Sequence, residues 1–463
     1  MDHKASVEEF GYKQELRRSL SVRDLVIFGM VFMSPISSMV LFGVMDVESH
    51  GHNFLSYLFG FTAMLFTAHS YGKMVEAFPI AGSTYSYTQR AISPKLGFMA
   101  GWVILLDYFL IPTLLYVISA NFVHALIPQV PFWVWIVIYI IPVTIVNIMG
   151  VEVAAKINFG ITVLMIAAVV AFVAAAFRYA MITHGYSVIT PAAIYNPATF
   201  SWNAVVAGSS MAVLCYLGFD AITTLSEEAD ATSHKMGMAI IMACVIQTVL
   251  YLAIAYFGMI VAPAYTHLKD VDTVFFGMAF KVGGYALQVF TTLVIAMSGV
   301  ATALAGQSAA SRVLYGMGRD KMIPPEFFAY LHPKFKTPTY NILAMGIIGL
   351  IGSLTISMTH LGEMVTFGGL FGFICVNLSV IWHFYIKKKE RRRSLLLYVV
   401  CPFIGMVVCA YILMDLSPLA KMVGFLWMGL GVLYLVIRSF LSTDFQHILE
   451  KSSLVDPDAN FVE

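Results

Sequence analysis

Two stretches decide the fold: Phe28 to Gly43, FGMVFMSPISSMVLFG, and Leu214 to Glu228, LCYLGFDAITTLSEE. Each interrupts an apolar run of membrane length with residues that make poor continuous helix. They stand at matching places in what reads as two five-helix halves. Unwound backbone deep in a bilayer is tolerated only where it lines a cavity, so a matched pair of breaks points to a ligand site at mid-membrane depth.

Working outward, 59% of the residues are hydrophobic and only 11% charged, with a mean hydropathy of +0.82. A globular chain carries about 25% charged residues, so lipid is the expected solvent. No charge falls between Asp24 and Asp46, Lys156 and Arg178, Lys235 and Lys269, or Arg393 and Asp415. Each gap holds a helix of about 20 residues, enough to cross a hydrocarbon core.

Such runs predict twelve crossings, at 25–45, 54–75, 96–120, 131–150, 156–178, 202–226, 237–262, 284–312, 340–358, 363–386, 395–415 and 418–440. The expected fold class is an all-α integral membrane protein with one transmembrane domain over 25–441. Polar tails occupy 1–24 and 442–463, and the longest interior loops are 178–201, 263–283 and 318–340. The first apolar run is too long for a signal-peptide core and no small-residue cleavage site follows, so it reads as a retained helix.

Lysine and arginine set the orientation. With twelve crossings and the N-terminus inside, 23 of the 27 basic residues lie on the cytoplasmic side; only Arg178, Lys269, Lys281 and Lys421 lie outside. Positive loops stay in the cytoplasm, which places both termini there. The basic residues thus have a topological explanation, and nothing indicates nucleic acid. The five cysteines, Cys215, Cys244, Cys375, Cys401 and Cys409, fall within predicted helices without a CxxC pair, so they read as packing residues rather than a disulfide framework or zinc site. No metal or cofactor is expected. The absence of HExxH, GxSxG and Walker sequences leaves an enzyme or an ATP-driven pump without residues to act.

The candidate site builds on the two breaks. In the first, Pro35 lacks an amide donor and its ring clashes with the carbonyl four residues earlier. That frees carbonyls and turns the hydroxyls of Ser34, Ser37 and Ser38, together with the backbone at Ile36, toward a polar ligand. The plainer alternative is a proline kink satisfied by serine and water. In the second break, Gly218 permits the interruption and Asp220 places a carboxylate at depth. An intramembrane charge costs at least about 2.5 kcal/mol, so it ordinarily faces a cavity; the alternative is a protonated carboxyl that holds the broken helix together. Asp107, in LLDYFLIP, is the second mid-depth acid. With no base at comparable depth, the site has negative character and favours a cation. Either carboxyl, or Glu227 nearer the cytoplasm, is a candidate to bind and release a proton. Tyr108, Tyr216 and Phe219 are candidate walls that attract an ammonium through their ring faces, against the usual role of such aromatics in packing. His69 and His383 have no partner at metal-ligand spacing and read as residues facing a neighbouring helix.

Longer motifs carry a resemblance: FPIAGSTYSYTQRAISPKLGFMAGW (Phe78 to Trp102), LLDY (Leu105 to Tyr108), LGFDAITTLSEEA (Leu217 to Ala229), SRVLYGMGRDKMIPPEFFAYLHPKFKTP (Ser311 to Pro338) and VNLSVIWHF (Val376 to Phe384). From about Leu20 to Leu441 the chain resembles the amino acid-polyamine-organocation (APC) transporter superfamily, most closely its bacterial putrescine importers. The resemblance implies two inverted five-helix repeats, about 25–178 and 202–386, with discontinuous helices 1 and 6, and two extra helices at about 395–440. It implies proton-coupled transport by alternating access across the plasma membrane. The ligand would lie between helices 1, 3, 6, 8 and 10, with Asp107 and Asp220 matching acidic positions of polyamine importers.

Three positions depart from the pattern. Ser34-Pro35-Ile36 replaces the Gly-Ser-Gly-like element that holds an amino acid's carboxylate. Val40 stands where putrescine importers carry an acid, and Met165 where many amino-acid members carry a lysine. Ser298 and Thr302 offer hydroxyls for a sodium ion as a lesser alternative to the proton. The expectation is an importer of putrescine or a related polyamine. An amino-acid permease or exchanger is its rival, and a membrane sensor without transport is the more distant one.

Overall fold

The computed structural model describes residues 18–127, 129–185, 190–262, 271, 274–356, 358–387 and 394–441. Most of the two tails, the basic cluster over 388–393, and Lys269 lie outside the described residues. So does the side chain of Lys156. The described chain is helical apart from turns and one isolated parallel bridge between Leu20 and Ala229.

The first span comes in three pieces, α1 (Val22–Met33), α2 (Ser37–Val40) and α3 (Phe42–Glu48). Ser21 starts α1 with a reciprocal cap: its Oγ accepts from the Asp24 amide at 3.3 Å, and its own amide donates to Asp24 Oδ2 at 2.9 Å. There follow α4 (Asn53–Ala77), the short polar α5 (Ser83–Ala91), α6 (Pro94–Leu126), α7 (Phe132–Met149) and α8 (Val151–His184). The second half runs through α9 (Trp202–Tyr216), a 3-10 helix (Phe219–Leu225), α10 (Ser233–Val261), α11 (Val274–Arg319), α12 (Pro325–Phe328), α13 (Thr339–Thr355) and α14 (Met358–Val380). It ends in α15 (Cys401–Asp415) and α16 (Pro418–Leu441).

Among the described residues, ten helical segments are long and apolar enough to cross a membrane. Outside that group stand α13, with 17 residues, and α4, which has 25 residues but more hydroxyl and amide side chains. Outward faces carry large apolar residues that water would not favour: Phe440 is 86% exposed, Met414 67% and Val249 62%. The interior holds Asp107, Asp220, Asn377 and Gln247 with essentially no exposure. Such an inside-out distribution is what a lipid solvent selects.

One expected loop is corrected. Residues 263–283 do not form a loop to their end, because α11 begins at Val274 and bends at Gly284, whose φ of 65° breaks the helical path. The reason is local: Phe275, Met278 and Ala279 form a buried stripe at helical spacing. Lys281 Nζ, on the same turn, donates to the Val261 carbonyl at 2.7 Å and so closes the end of α10.

Candidate functional site

At the first break, α1 stops at Met33, and Ser34 takes a left-handed φ of 53°. Pro35 has no amide to give the Val31 carbonyl, which instead accepts from the Ser34 amide at 3.1 Å. The Ser34 carbonyl in turn accepts from the Ser37 amide at 3.0 Å. Tyr251 of α10 reaches this turn from the side. Its hydroxyl lies 2.6 Å from Met33 O, 3.1 Å from Ser34 O and 2.7 Å from Cys215 O, and accepts from Ser37 Oγ at 2.8 Å. One phenol therefore ties the first break to the end of α9. Thr302 Oγ1 of α11 donates to Val31 O at 2.8 Å, so its hydroxyl proton is already engaged. Met165 of α8 reaches the same turn and accepts from Ser34 Oγ at 3.7 Å; a thioether, not a cation, fills that place.

At the second break, α9 ends at Tyr216, Leu217 is extended, and Gly218 adopts a φ of 115° before the 3-10 helix begins. The Phe32 ring covers Gly218 so closely that a methyl group there would come to 2.5 Å from it. Asp220 is fully buried and accepts a hydrogen bond from the Tyr108 hydroxyl. Asp107, also fully buried, has no hydrogen-bond partner for either carboxylate oxygen among the described residues. It packs against α14 at Gly368 and Gly369; a side chain begun at Gly369 would lie 3.3 Å from Asp107 Oδ2.

Past the 3-10 helix the chain is locked by charge. Glu227 accepts from the Ala81 amide at 2.8 Å and pairs with Arg319 at 2.9 Å, while Glu228 pairs with Arg312. Tyr85 donates to Asp320 at 2.7 Å. The Ser19 and Leu20 amides reach Glu228 O at 2.9 and 3.1 Å, adding a strap from the start of α1. These contacts close one end of the bundle.

Toward the other end a cavity of about 140 Å³ opens between the two breaks. The first span contributes Phe32, Met33, Ser34, Ser37, Val40 and Val44; α6 contributes Ile111, Leu114 and Ile118. Across from them stand Met211, Leu214 and Leu217, then Ser298 and Thr302 of α11, and finally Glu363 of α14. Of the residues expected at the site, Ser34 and Ser37 line this space. Pro35, Ile36 and Ser38 form the turn behind it. Asp107, Tyr108 and Asp220 lie under its floor, screened by Phe32 and Leu217, both of which face the cavity.

Tyr216 and Phe219 point elsewhere. The Tyr216 hydroxyl donates to Thr248 at 2.9 Å, and its ring sits 5.3 Å from that of Tyr251. Phe219 packs on Phe373 and Tyr71, at 5.1 and 5.6 Å between centroids. His69 Nε2 meets Leu397 O at 2.9 Å, and His383 packs on Phe78, so each faces a neighbouring element. No group that could hold a metal ion occurs among the described residues.

Two residues of the site were missed by sequence reasoning. Tyr251 looks in sequence like any aromatic of an apolar helix, and only the fold brings it to both breaks. Glu363 stood at the predicted edge of a span, where an acid ordinarily meets water. Its signal was available: no other acid occurs between Glu326 and Glu390.

Chemically, the arrangement offers a small, largely apolar space with hydroxyls at one wall, an acid at another and two carboxyls beneath. It suits a ligand that is carried rather than transformed. The amino acid permease family model matches residues 30–440. The chain is 30% identical over 436 residues to the low-affinity putrescine importer PlaP of Escherichia coli (strain K12), covering 92% of this chain and 95% of that one. It is 26% identical to the methylthioribose transporter of Bacillus subtilis (strain 168), covering 92% and 94%. It is also 25% identical to the branched-chain amino acid permease BcaP of Lactococcus lactis subsp. cremoris (strain MG1363), covering 89% and 92%. Matched along nearly its whole length and built of apolar helices broken around a cavity, the chain is a multi-pass membrane permease, not an enzyme, and belongs to the amino acid permease family of the APC superfamily.

Proposed function

We propose that the protein imports a small organic cation, putrescine or a related polyamine, coupled to protons, by alternating access. The observation that carries this reading is the pair of buried carboxyls, Asp107 and Asp220, directly beneath a cavity framed by two helix breaks. Burying an acid without a cation is costly. A transported ammonium or a proton supplies the missing positive charge, and its arrival relieves that cost. Asp107 has no side-chain partner to do so among the described residues.

In this reading the ion-paired end is cytoplasmic, in agreement with the lysine and arginine distribution, and the cavity faces outward. Helices α1 to α8 and α9 to α14 make two inverted five-span repeats, α15 and α16 are the extra pair, and twelve spans leave both termini on the cytoplasmic side of the cell membrane. Import then requires Phe32 and Leu217 to move aside and the Glu227–Arg319 and Glu228–Arg312 pairs to part. Glu227, held by Arg319, acts in the gate; Asp107 and Asp220 are the proton carriers. PlaP, the relative at 30% identity, is named as a putrescine importer.

The test is uptake of radiolabelled putrescine into proteoliposomes bearing an inward proton gradient. Asp220→Asn keeps an acceptor for Tyr108 but removes the charge. A charge-assisted contact is worth about 2–3 kcal/mol, so uptake falls roughly 30- to 150-fold. Uptake that persists in that variant removes the role of Asp220, and uptake indifferent to a protonophore removes the coupling.

A second reading is an amino-acid permease, favoured by the apolar character of the cavity wall, with Ile111, Leu114, Ile118, Met211 and Leu214 together. Competition by branched-chain amino acids, with polyamines inert, would establish it.

A further inference from the structure

Within the cavity lining, Glu363 is the one carboxylate. It is partly exposed, and it has no hydrogen-bond or ion-pair partner among the described residues. No lysine or arginine lines the cavity beside it. Val40, on the opposite wall, brings no charge.

Its position on α14 fixes its height. Glu363 precedes Gly369, the residue against which the Asp107 carboxylate packs, by six positions. At 1.5 Å per residue that is about 9 Å along the helix axis. Two acidic side chains therefore stand at different heights, Glu363 in the cavity wall and Asp107 under the floor. The wall beside Glu363 is largely hydrocarbon, with Leu114, Ile118 and Leu214 among its residues.

We infer that Glu363 is the outer ammonium-binding residue of a two-ended amine, and that it sets a preference for diamines over monoamines of the same length. The inference rests on the reading of the protein as an amine importer and specifies how that site chooses its substrate. The dimensions agree. A four-carbon diamine spans about 6 Å between nitrogens at ordinary bond lengths, and an ammonium sits about 2.8 Å from a carboxylate oxygen. One end resting on Glu363 thus places the other about 9 Å away, the rise that separates Glu363 from the Asp107 level, within a cavity that Ser34 and Ser37 also line. Size agrees as well: a cavity of about 150 Å³ accommodates a ligand of about six non-hydrogen atoms. The plainer role for Glu363 is a solvated acid near the start of α14, where the helix dipole favours negative charge. That role predicts a small change in stability and none in substrate preference.

The experiment uses full-length protein in proteoliposomes, with Glu363→Gln and Glu363→Asp beside the wild type. Concentration dependence of putrescine uptake is measured, together with inhibition by unlabelled putrescine and by n-butylamine. In the wild type, putrescine should inhibit at least about tenfold better than n-butylamine, as expected for an added charge-assisted contact of about 1.4 kcal/mol or more. Glu363→Gln should raise KM about tenfold with the maximal rate within about twofold, and should erase the advantage of the diamine. Glu363→Asp should keep part of that advantage. Thermal unfolding in detergent establishes that each variant is folded; should Glu363→Gln fail to fold, Glu363→Asp and the wild-type comparison of the two amines decide. If putrescine enters normally in Glu363→Gln with its advantage intact, or if n-butylamine matches putrescine in the wild type, the inference is overturned while amine import stands. If the folded wild type takes up no putrescine, amine import fails and this inference falls with it.

Discussion

The two breaks solve one problem by opposite means. The first is made by proline, and its loosened backbone is open on the cavity side: Ser34 and Ser37 line the cavity, and the Met33 and Ser34 carbonyls accept from Tyr251 of another helix. The second is made by glycine and is packed shut. Phe32 covers Gly218, all of Phe219–Leu225 is buried, and the chain runs straight into paired glutamates. Proline removes a donor and leaves polar atoms to be satisfied; glycine removes a side chain and lets a neighbour approach. Hence one break presents polar atoms to the cavity, and the other is packed against the ion-paired end of the bundle.

That contrast breaks first at the ion-paired end. Arg312→Ala leaves Glu228 buried without its partner, a loss of about 3–5 kcal/mol. Thermal unfolding in detergent should show a large drop in melting temperature. Combining it with Glu228→Gln should recover part of the loss, because no uncompensated charge then remains.

Next comes Gly218→Ala. A residue with a side chain forced to a φ of 115° costs about 1–3 kcal/mol, and here it also meets the Phe32 ring. Stability and uptake should fall together, and Phe32→Leu should soften the effect by giving the new methyl room. An unchanged melting temperature in Gly218→Ala would show that the second break is as loose as the first.

The smallest effect is expected for Tyr251→Phe, the residue common to both breaks. Polar contacts between membrane helices are worth about 1 kcal/mol or less, and the Ser37 hydroxyl, 3.2 Å from Met33 O, can take over part of the task. The melting temperature should fall slightly, with a larger fall in the double variant Tyr251→Phe and Ser37→Ala. A large loss from Tyr251→Phe alone would make the first break as dependent on packing as the second.

Much of this was legible in order along the chain. Hydropathy located the helical segments, proline at 35 and glycine at 218 located the breaks, and the acids at 107 and 220 were marked by their depth. Less legible were features that need two distant elements at once. Phe32 and Leu217 screen the acids from the cavity. Tyr216 and Phe219 turn into neighbouring aromatic clusters, and Thr302 spends its proton on Val31. The helical stretch Val274–Gly283 was hidden because its apolar stripe is too short to register as a span.

By itself the sequence determined the solvent, the helices and the two places where they fail, since these follow from local composition: lipid demands apolar length, and proline or glycine interrupts backbone bonding wherever it stands. Only the tertiary structure decided which polar groups share a space. It set Glu363 in the cavity wall, Asp107 under its floor and Tyr251 across both breaks, because contact between residues hundreds of positions apart depends on how helices pack, and packing is a property of the whole fold.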